Sequence, residues 1–195
     1  KHAISDRGRS TGSSKTAEIP PLEIDPLSFS GERAFYEVKQ FTTLGERVSG
    51  SDGAAKAADY LAGKLRDIGA DTSMDIFSDV TPEGSNTFRN ITASFPGGSD
   101  SVIIIASHFD TKGGIPGFTG ANDSGSSSGL LLELARVLKQ TARLKNNIRL
   151  VFLDGEECVN EYTHSDGLHG RRRLAARIME MAEKKKVKAV VVVDM

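Results

Sequence analysis

Six residues of this sequence could do acid–base or metal chemistry together: His108, Asp110, Asp123, Glu156, Glu157 and Asp194. What unites them is position. His108 and Asp110 follow the apolar run "VIIIAS", Glu156 and Glu157 follow "LVFLDG", and Asp194 closes "AVVVVD". Asp123 lies in the glycine- and serine-rich segment "GANDSGSSSG", just ahead of a helical pattern. Taken singly, each has a structural explanation. A carboxylate before a helix caps it, and adjacent acids suit the positive end of a helix dipole. Taken together, carboxylates crowded at one place repel one another and raise each other's pKa, and a bound cation relieves that repulsion. Histidine and carboxylate ligands without cysteine suit zinc or a similar divalent metal, and the number of ligands points to more than one ion.

The elements that must position these residues are legible from periodicity. Residues 31–44 and 53–68 place apolar side chains at helical spacing, the second through Ala57, Ala58, Leu61, Leu65 and Ile68, with Gly69 as a stop. Three strand patterns follow, "SMDIFSDV", "TFRNITASF" and "SVIIIAS", separated by the turn sequences "TPEG" and "PGGSD". Helical and strand patterns then alternate: a helix at about 125–140, the strand "NIRLVFLD", a helix at about 170–185 and the strand "KAVVVVDM". Nearly unbroken apolar strands between helices predict a sheet covered on both faces. The expected fold is therefore α/β, a three-layer α/β/α sandwich with a mixed, largely parallel central sheet. Ligands of such sheets gather beyond the carboxyl ends of the strands, which is where five of the six residues fall, Asp123 being added by the loop ahead of the next helix.

The motifs "SHFDTK", "GANDSGSSSG", "DGEE" and "VVVDM", in this order and spacing, resemble the zinc aminopeptidase family that also contains the glutaminyl-peptide cyclotransferases. The resemblance covers about residues 31–195. It implies that His108, Asp123 and Asp194 hold one zinc ion and that Asp123 bridges to a second held by Glu157. It makes Glu156 the general base toward a metal-activated water and Asp110 the carboxylate that orients His108, and it implies a cis bond between Asp123 and Ser124. Residues i and i+2 of an extended chain point the same way, so Asp110 can reach the His108 imidazole, while the side chains of Glu156 and Glu157 diverge.

The same resemblance places the family's last metal ligand, a histidine, after the strand that ends in Asp194, so the expectation is a catalytic domain at 29–195 that lacks its last part. His2 lies in the segment 1–28, which is polar, unpatterned and read as a flexible arm; His164 and His169 lie in a polar loop and read as loop residues. Two activities follow from the family. The leading expectation is a zinc-dependent exopeptidase, aminopeptidase-like, acting on peptides with a free N-terminus. The alternative is a glutaminyl cyclase, to which "DIFSDVTPEGSNTFRNI" and "DGLHGRRRLA" are closer; against it, the cyclases line their pocket with tryptophan, and Tyr162 stands near where one is expected. A peptidase-like domain that binds without turnover is a third reading, which the intact Glu156 and Asp110 oppose.

Composition excludes other classes. The chain of 195 residues has 25 basic and 26 acidic side chains and a formal net charge of −1, so no basic surface calls for nucleic acid. No apolar run reaches the roughly 18–20 residues of a transmembrane helix. The single cysteine, Cys158, cannot form an internal disulfide and reads as a small buried filler. The absence of an initial methionine and the family's habits suggest an exported protein. The run "RRR" at 171–173 and "EKKK" at 183–186 read as solvated helix faces, and the glycines of "RVSGSDG" as the reason for a turn into the second helix.

Overall fold

The computed structural model describes residues 28–180 and 186–194. The expected arm therefore lies outside the described residues but for Ser28, as do His2 and positions 181–185. Helix α1 (Gly31–Thr42) begins where the Ser30 side chain accepts from Arg33 N, and α2 (Asp52–Asp67) where Ser51 accepts from Ala54 N. Helix α2 buries Ala54, Ala57, Ala58, Leu61, Ala62 and Leu65 along one face. It stops at Gly69, whose φ of 82° lets the amides of Gly69 and Ala70 turn back to the carbonyls of Arg66 and Leu65.

Strands β1 (Asp71–Thr81) and β2 (Gly84–Phe95) form an antiparallel hairpin around Pro82 and Glu83. Strand β3 (Val102–His108), helix α3 (Gly125–Gln140), strand β4 (Asn147–Leu153), helix α4 (His169–Glu180) and strand β5 (Val187–Val192) complete the order. The five strands make one sheet in the order β1-β2-β4-β3-β5. Pairing is antiparallel in β1-β2-β4 and parallel in β4-β3-β5. The parallel half is the one that carries the candidate residues, since only parallel neighbours end on the same edge.

The alternation of β4 shows the three layers. Leu150 and Phe152 join the core beneath α1, α2 and α3, with Leu61, Leu65, Leu131 and Ile91; Val151 and Leu153 join Ile104 and Ala106 against Leu174 and Ile178 of α4. Phe152 is fully buried, so Phe152→Ala should cost about 3–5 kcal/mol of stability through lost burial and the cavity left behind; a urea titration reads this directly. Strand β5 is the last in the sheet order, with Val190, Val191 and Val192 about half exposed.

One expectation about the surface changes. Arg173 does not face solvent alone: its Nε and Nη2 donate to Asp75 of β1 at 2.8 and 3.0 Å, and Arg177 Nη2 reaches the same carboxylate at 3.2 Å. Arg172 lies 3.6 Å from Asp79. The basic face of α4 is thus matched to acids on the outer strand, a pairing across distant sequence that helical periodicity alone does not reveal.

Candidate active site

Three chain segments arrive at one edge because the sheet pairing continues past the strand ends. Phe109 N donates to Leu153 O at 3.0 Å, and Val193 N donates to Ala106 O at 2.8 Å. The first link brings Asp110 beside the "DGEE" loop and the second brings Asp194 beside His108. His108, Asp123 and Asp194 place one ligand atom each within 4.8 Å of one another. His108 Nε2 is 2.7 Å from Asp123 Oδ1 and 3.5 Å from Asp194 Oδ1.

The polar inventory fits a cation there. Asp123 Oδ1 is shielded from solvent and makes no well-aligned hydrogen bond, its contact at 2.7 Å with His108 Nε2 being an ion pair, which leaves this carboxylate oxygen poorly satisfied. An imidazole nitrogen and two carboxylates aimed at one small volume form a donor set suited to zinc. The proton affinities tell the same story. Burial alone would lower the His108 pKa, but the bond to Asp110 and the charges of Asp110, Glu156 and Asp123 carry it up to about 9. Such basicity marks negative charge in want of a counter-ion.

Asp110, fully buried, is the organiser. It accepts from His108 Nδ1 at 3.3 Å, from the amides of Glu156 and Glu157 at 3.1 and 3.0 Å, and from Ser49 Oγ at 3.1 Å. Burial would raise its pKa, yet the bonds from His108 and the two amides hold it below the usual carboxylate value. Held by their backbones, the two glutamates send their side chains apart. Glu156 accepts from Tyr162 Oη at 3.2 Å, with Arg171 Nη2 3.8 Å away. Glu157 lies outside the three-residue cluster and lines a cavity of about 260 Å³ together with Ser49, Thr81, Asn86, Phe88 and Cys158. Burial pushes both carboxyls up; the charges of Asp110 and Asp123 add to this at Glu157.

The serines of "GANDSGSSSG" fasten Asp123 to the sheet. Ser128 Oγ donates to His108 O at 3.3 Å, Ser124 Oγ to Asp110 O at 3.4 Å, and the Ser107 and Ser127 hydroxyls meet at 2.6 Å. The Asp123–Ser124 peptide bond is cis, as the resemblance implies. A Cβ at Gly129 would fall 2.6 Å from Ala34 O, so glycine is what allows α3 to pack closely on α1.

Arg47 holds the segment from below. Fully buried and stacked 4.4 Å over the Phe41 ring, it donates to the carbonyls of Phe109 and Thr119 at 2.7 and 2.6 Å and of Gly45 and Gly120 at 3.2 Å each. Burial lowers its pKa to about 10 against the raising effect of Asp110. Arg47→Met leaves these carbonyls without donors and should cost about 3 kcal/mol or more, measurable by chemical denaturation.

Of the other histidines, His164 is exposed, whereas His169 is buried, stacked on Phe88 at 4.4 Å and bonded to Asp79 at 2.8 Å. Neither joins the cluster. Cys158 is buried as expected, with Lys112 Nζ donating to its carbonyl and lying 3.2 Å from its sulfur. Three contributors escaped the sequence reading: Arg47, Ser49 and the Tyr162 contact to Glu156. The turn "RVSGSDG" contains more than permissive glycines, since Ser49 reaches both Asp110 and Asp154. A polar side chain flanking a turn was the only signal available.

Comparison with known proteins fits this geometry. Residues 90–195, more than half of the chain, match the pattern of peptidase family M28. The chain belongs to peptidase family M28. This M28 chain is 31% identical over 196 residues to the glutaminyl-peptide cyclotransferase of Drosophila melanogaster, covering 91% of the chain and 55% of that relative. It spans about half the length of that curated relative. Among solved structures it superposes on an Acidobacteriales bacterium glutaminyl cyclase with a TM-score of 0.80 and 31% identity, over 98% of the chain and 63% of the other. A Zn-dependent exopeptidase from Parabacteroides distasonis shares the M28 fold with a TM-score of 0.74 and 26% identity, over 86% and 62% of the two chains. The three-layer α/β/α fold is thus that of glutaminyl cyclases and zinc exopeptidases.

Proposed function

We propose that the protein to which this chain belongs is a zinc-dependent glutaminyl-peptide cyclotransferase. The observation that carries the reading is the likeness to glutaminyl cyclases, which extends over nearly the whole chain in both sequence and structure. This reverses the order that the sequence alone favours, where peptide hydrolysis leads. The shared Zn-dependent exopeptidase fold supports hydrolysis at a lower identity and over less of the chain.

His108, Asp123 and Asp194 would hold one zinc ion, and Glu157 with Asp123 would serve a second. When bound, zinc supplies Lewis acidity toward a carbonyl oxygen. The chain's own residues account for the proton. In cyclisation the α-amine of an N-terminal glutamine attacks its side-chain amide carbon, a new C–N bond forms, and ammonia leaves. Glu156 takes the proton from the attacking amine and returns it to the departing nitrogen. Its half-buried carboxyl, with a pKa raised by burial, suits a group that must both accept and donate. Tyr162 Oη and the Asp110 bond to the Glu156 amide fix its position. Asp110 also orients His108 by accepting from its Nδ1, which leaves Nε2 for the ion.

The protein is tested with two peptides, one with N-terminal glutamine and one with N-terminal leucine. Ammonia from the first without free amino acid from the second is the expected result. Free leucine without ammonia would make it an aminopeptidase.

A further inference from the structure

Tyr162 stands on the loop between β4 and α4 and is 55% exposed, yet its hydroxyl meets Glu156 Oε2 at 3.2 Å. Holding a half-exposed side chain in one place costs rotamer freedom, so the backbone beneath it must be fixed by other bonds. The group that fixes it is the Asp166 carboxylate. Asp166 is buried and collects three successive amides: Val159 N on Oδ1 at 2.5 Å, and Asn160 N and Glu161 N on Oδ2 at 2.9 and 3.1 Å. Successive amides turned to one point make an anion-binding concavity, and here the chain supplies its own anion. Tyr162 comes directly after the three. Thr163 N then donates to Asp166 O at 3.0 Å, which turns the chain back. Gly167, with a φ of 78°, passes so close to the Tyr162 ring that a Cβ would fall 2.7 Å from Cδ1. Arg172 Nη1 ties Gly167 O at 2.6 Å, and Leu168 N closes the loop on Glu156 O at 3.0 Å. Leu168 itself has a φ of 56°, a left-handed conformation that a leucine keeps only where its surroundings impose it.

We propose that Asp166 is a positioning residue for Glu156: its carboxylate folds residues 159–167 so that the Tyr162 ring rests on Gly167 and the Tyr162 hydroxyl holds the Glu156 carboxylate. The contacts form an unbroken series, from Asp166 to the amides of 159–161, from that turn to Tyr162, and from Tyr162 Oη to Glu156 Oε2. Asp166 stands outside the cluster of His108, Asp123 and Asp194, so its effect is on the geometry of Glu156 and not on the metal ligands. The consequence for turnover rests on the proton-carrying role given to Glu156 above; the closure of the loop does not.

Asp166→Asn keeps the size of the side chain but replaces one acceptor oxygen with an NH2 group, which meets at least one of the three amides donor to donor. In the whole protein, the amide hydrogens of Val159, Asn160 and Glu161 should be protected in the parent and exchange about tenfold faster in the variant. On whichever of the glutaminyl and leucyl peptides the parent turns over, kcat should fall about tenfold with zinc content unchanged. In a Tyr162→Phe background, which keeps the ring and removes the hydroxyl, Asp166→Asn should change kcat by less than about twofold, because the route to Glu156 is already cut. A residue that only steadied the fold would cost the same factor in both backgrounds. The proposal is overturned by that equality, by parental kcat in Asp166→Asn, or by amides at 159–161 that exchange freely in the parent or at parental rates in the variant. It is overturned too by an Asp166→Asn chain that fails to fold, which would make the residue a support of the whole domain. Release of leucine in place of ammonia would change the assigned reaction and leave these comparisons intact. Turnover of neither peptide would end the role in catalysis together with the reading it rests on, while the exchange rates still decide the closure of the loop.

Discussion

On the reaction proposed above, Glu156→Gln in the whole protein should lower kcat for glutaminyl-peptide cyclisation by about 10²- to 10⁴-fold, the usual contribution of a positioned general acid–base, without lowering its zinc content. The substitution is conservative everywhere except in proton transfer. The amide oxygen of glutamine can still accept from Tyr162 Oη, and the bond from the residue 156 amide to Asp110 is made by the backbone. The three residues that converge within 4.8 Å do not include Glu156, so metal affinity has no reason to fall. A neutral amide, however, cannot take a proton from the attacking amine or return one to the leaving nitrogen. The loss should therefore appear in kcat with KM nearly unchanged. Steady-state kinetics with zinc analysis of the same sample provide the test. Parental kcat in the variant would remove Glu156 from the chemistry, and loss of zinc would make it a ligand instead.

The strands and helices were legible in the sequence because burial writes period into the chain. β4 reads as an apolar run since Leu150 and Phe152 serve one core and Val151 and Leu153 the other. The strand ends that carry His108, Glu156, Glu157 and Asp194 were legible for the same reason. The order β1-β2-β4-β3-β5 was not, because it depends on which strands pair, and pairing partners leave no local signature. The supports of the site were hidden likewise. Ser49 meets Asp110 across 61 residues and Asp154 across 105. Arg47 meets the carbonyl of Thr119 across 72, and a buried arginine bonded to carbonyls looks in sequence like any surface base. Arg173 and Asp75 are separated by 98 positions, so the basic run read as solvated until the fold brought strand β1 to it. Tyr162 was visible as an aromatic near the site, but its hydroxyl contact to Glu156 depends on the path of the loop.

Asp123→Ala should abolish zinc binding outright, whereas Glu157→Ala should leave one zinc per chain. The difference follows from where the two carboxylates stand. Asp123 Oδ1 lies 2.7 Å from His108 Nε2 in the convergent cluster, shielded from solvent and without a well-aligned hydrogen bond. Removing it leaves His108 and Asp194 as a two-residue site with one negative charge against a dipositive ion, below the three protein ligands that zinc sites ordinarily use. Glu157 stands outside that cluster, so its loss touches only a second ion. Asp110→Asn should fall between them, at about 10- to 100-fold weaker binding, because it withdraws the carboxylate that orients the His108 ring without removing a ligand. Metal analysis after dialysis gives the stoichiometry, and the rise in Tm on adding zinc gives an independent measure: at about 100 times Kd, binding to the folded state contributes about 2.7 kcal/mol. That rise should vanish in Asp123→Ala. Zinc retained at parental affinity in that variant would move the metal centre away from the strand ends, and the roles assigned to His108 and Asp194 would fall with it.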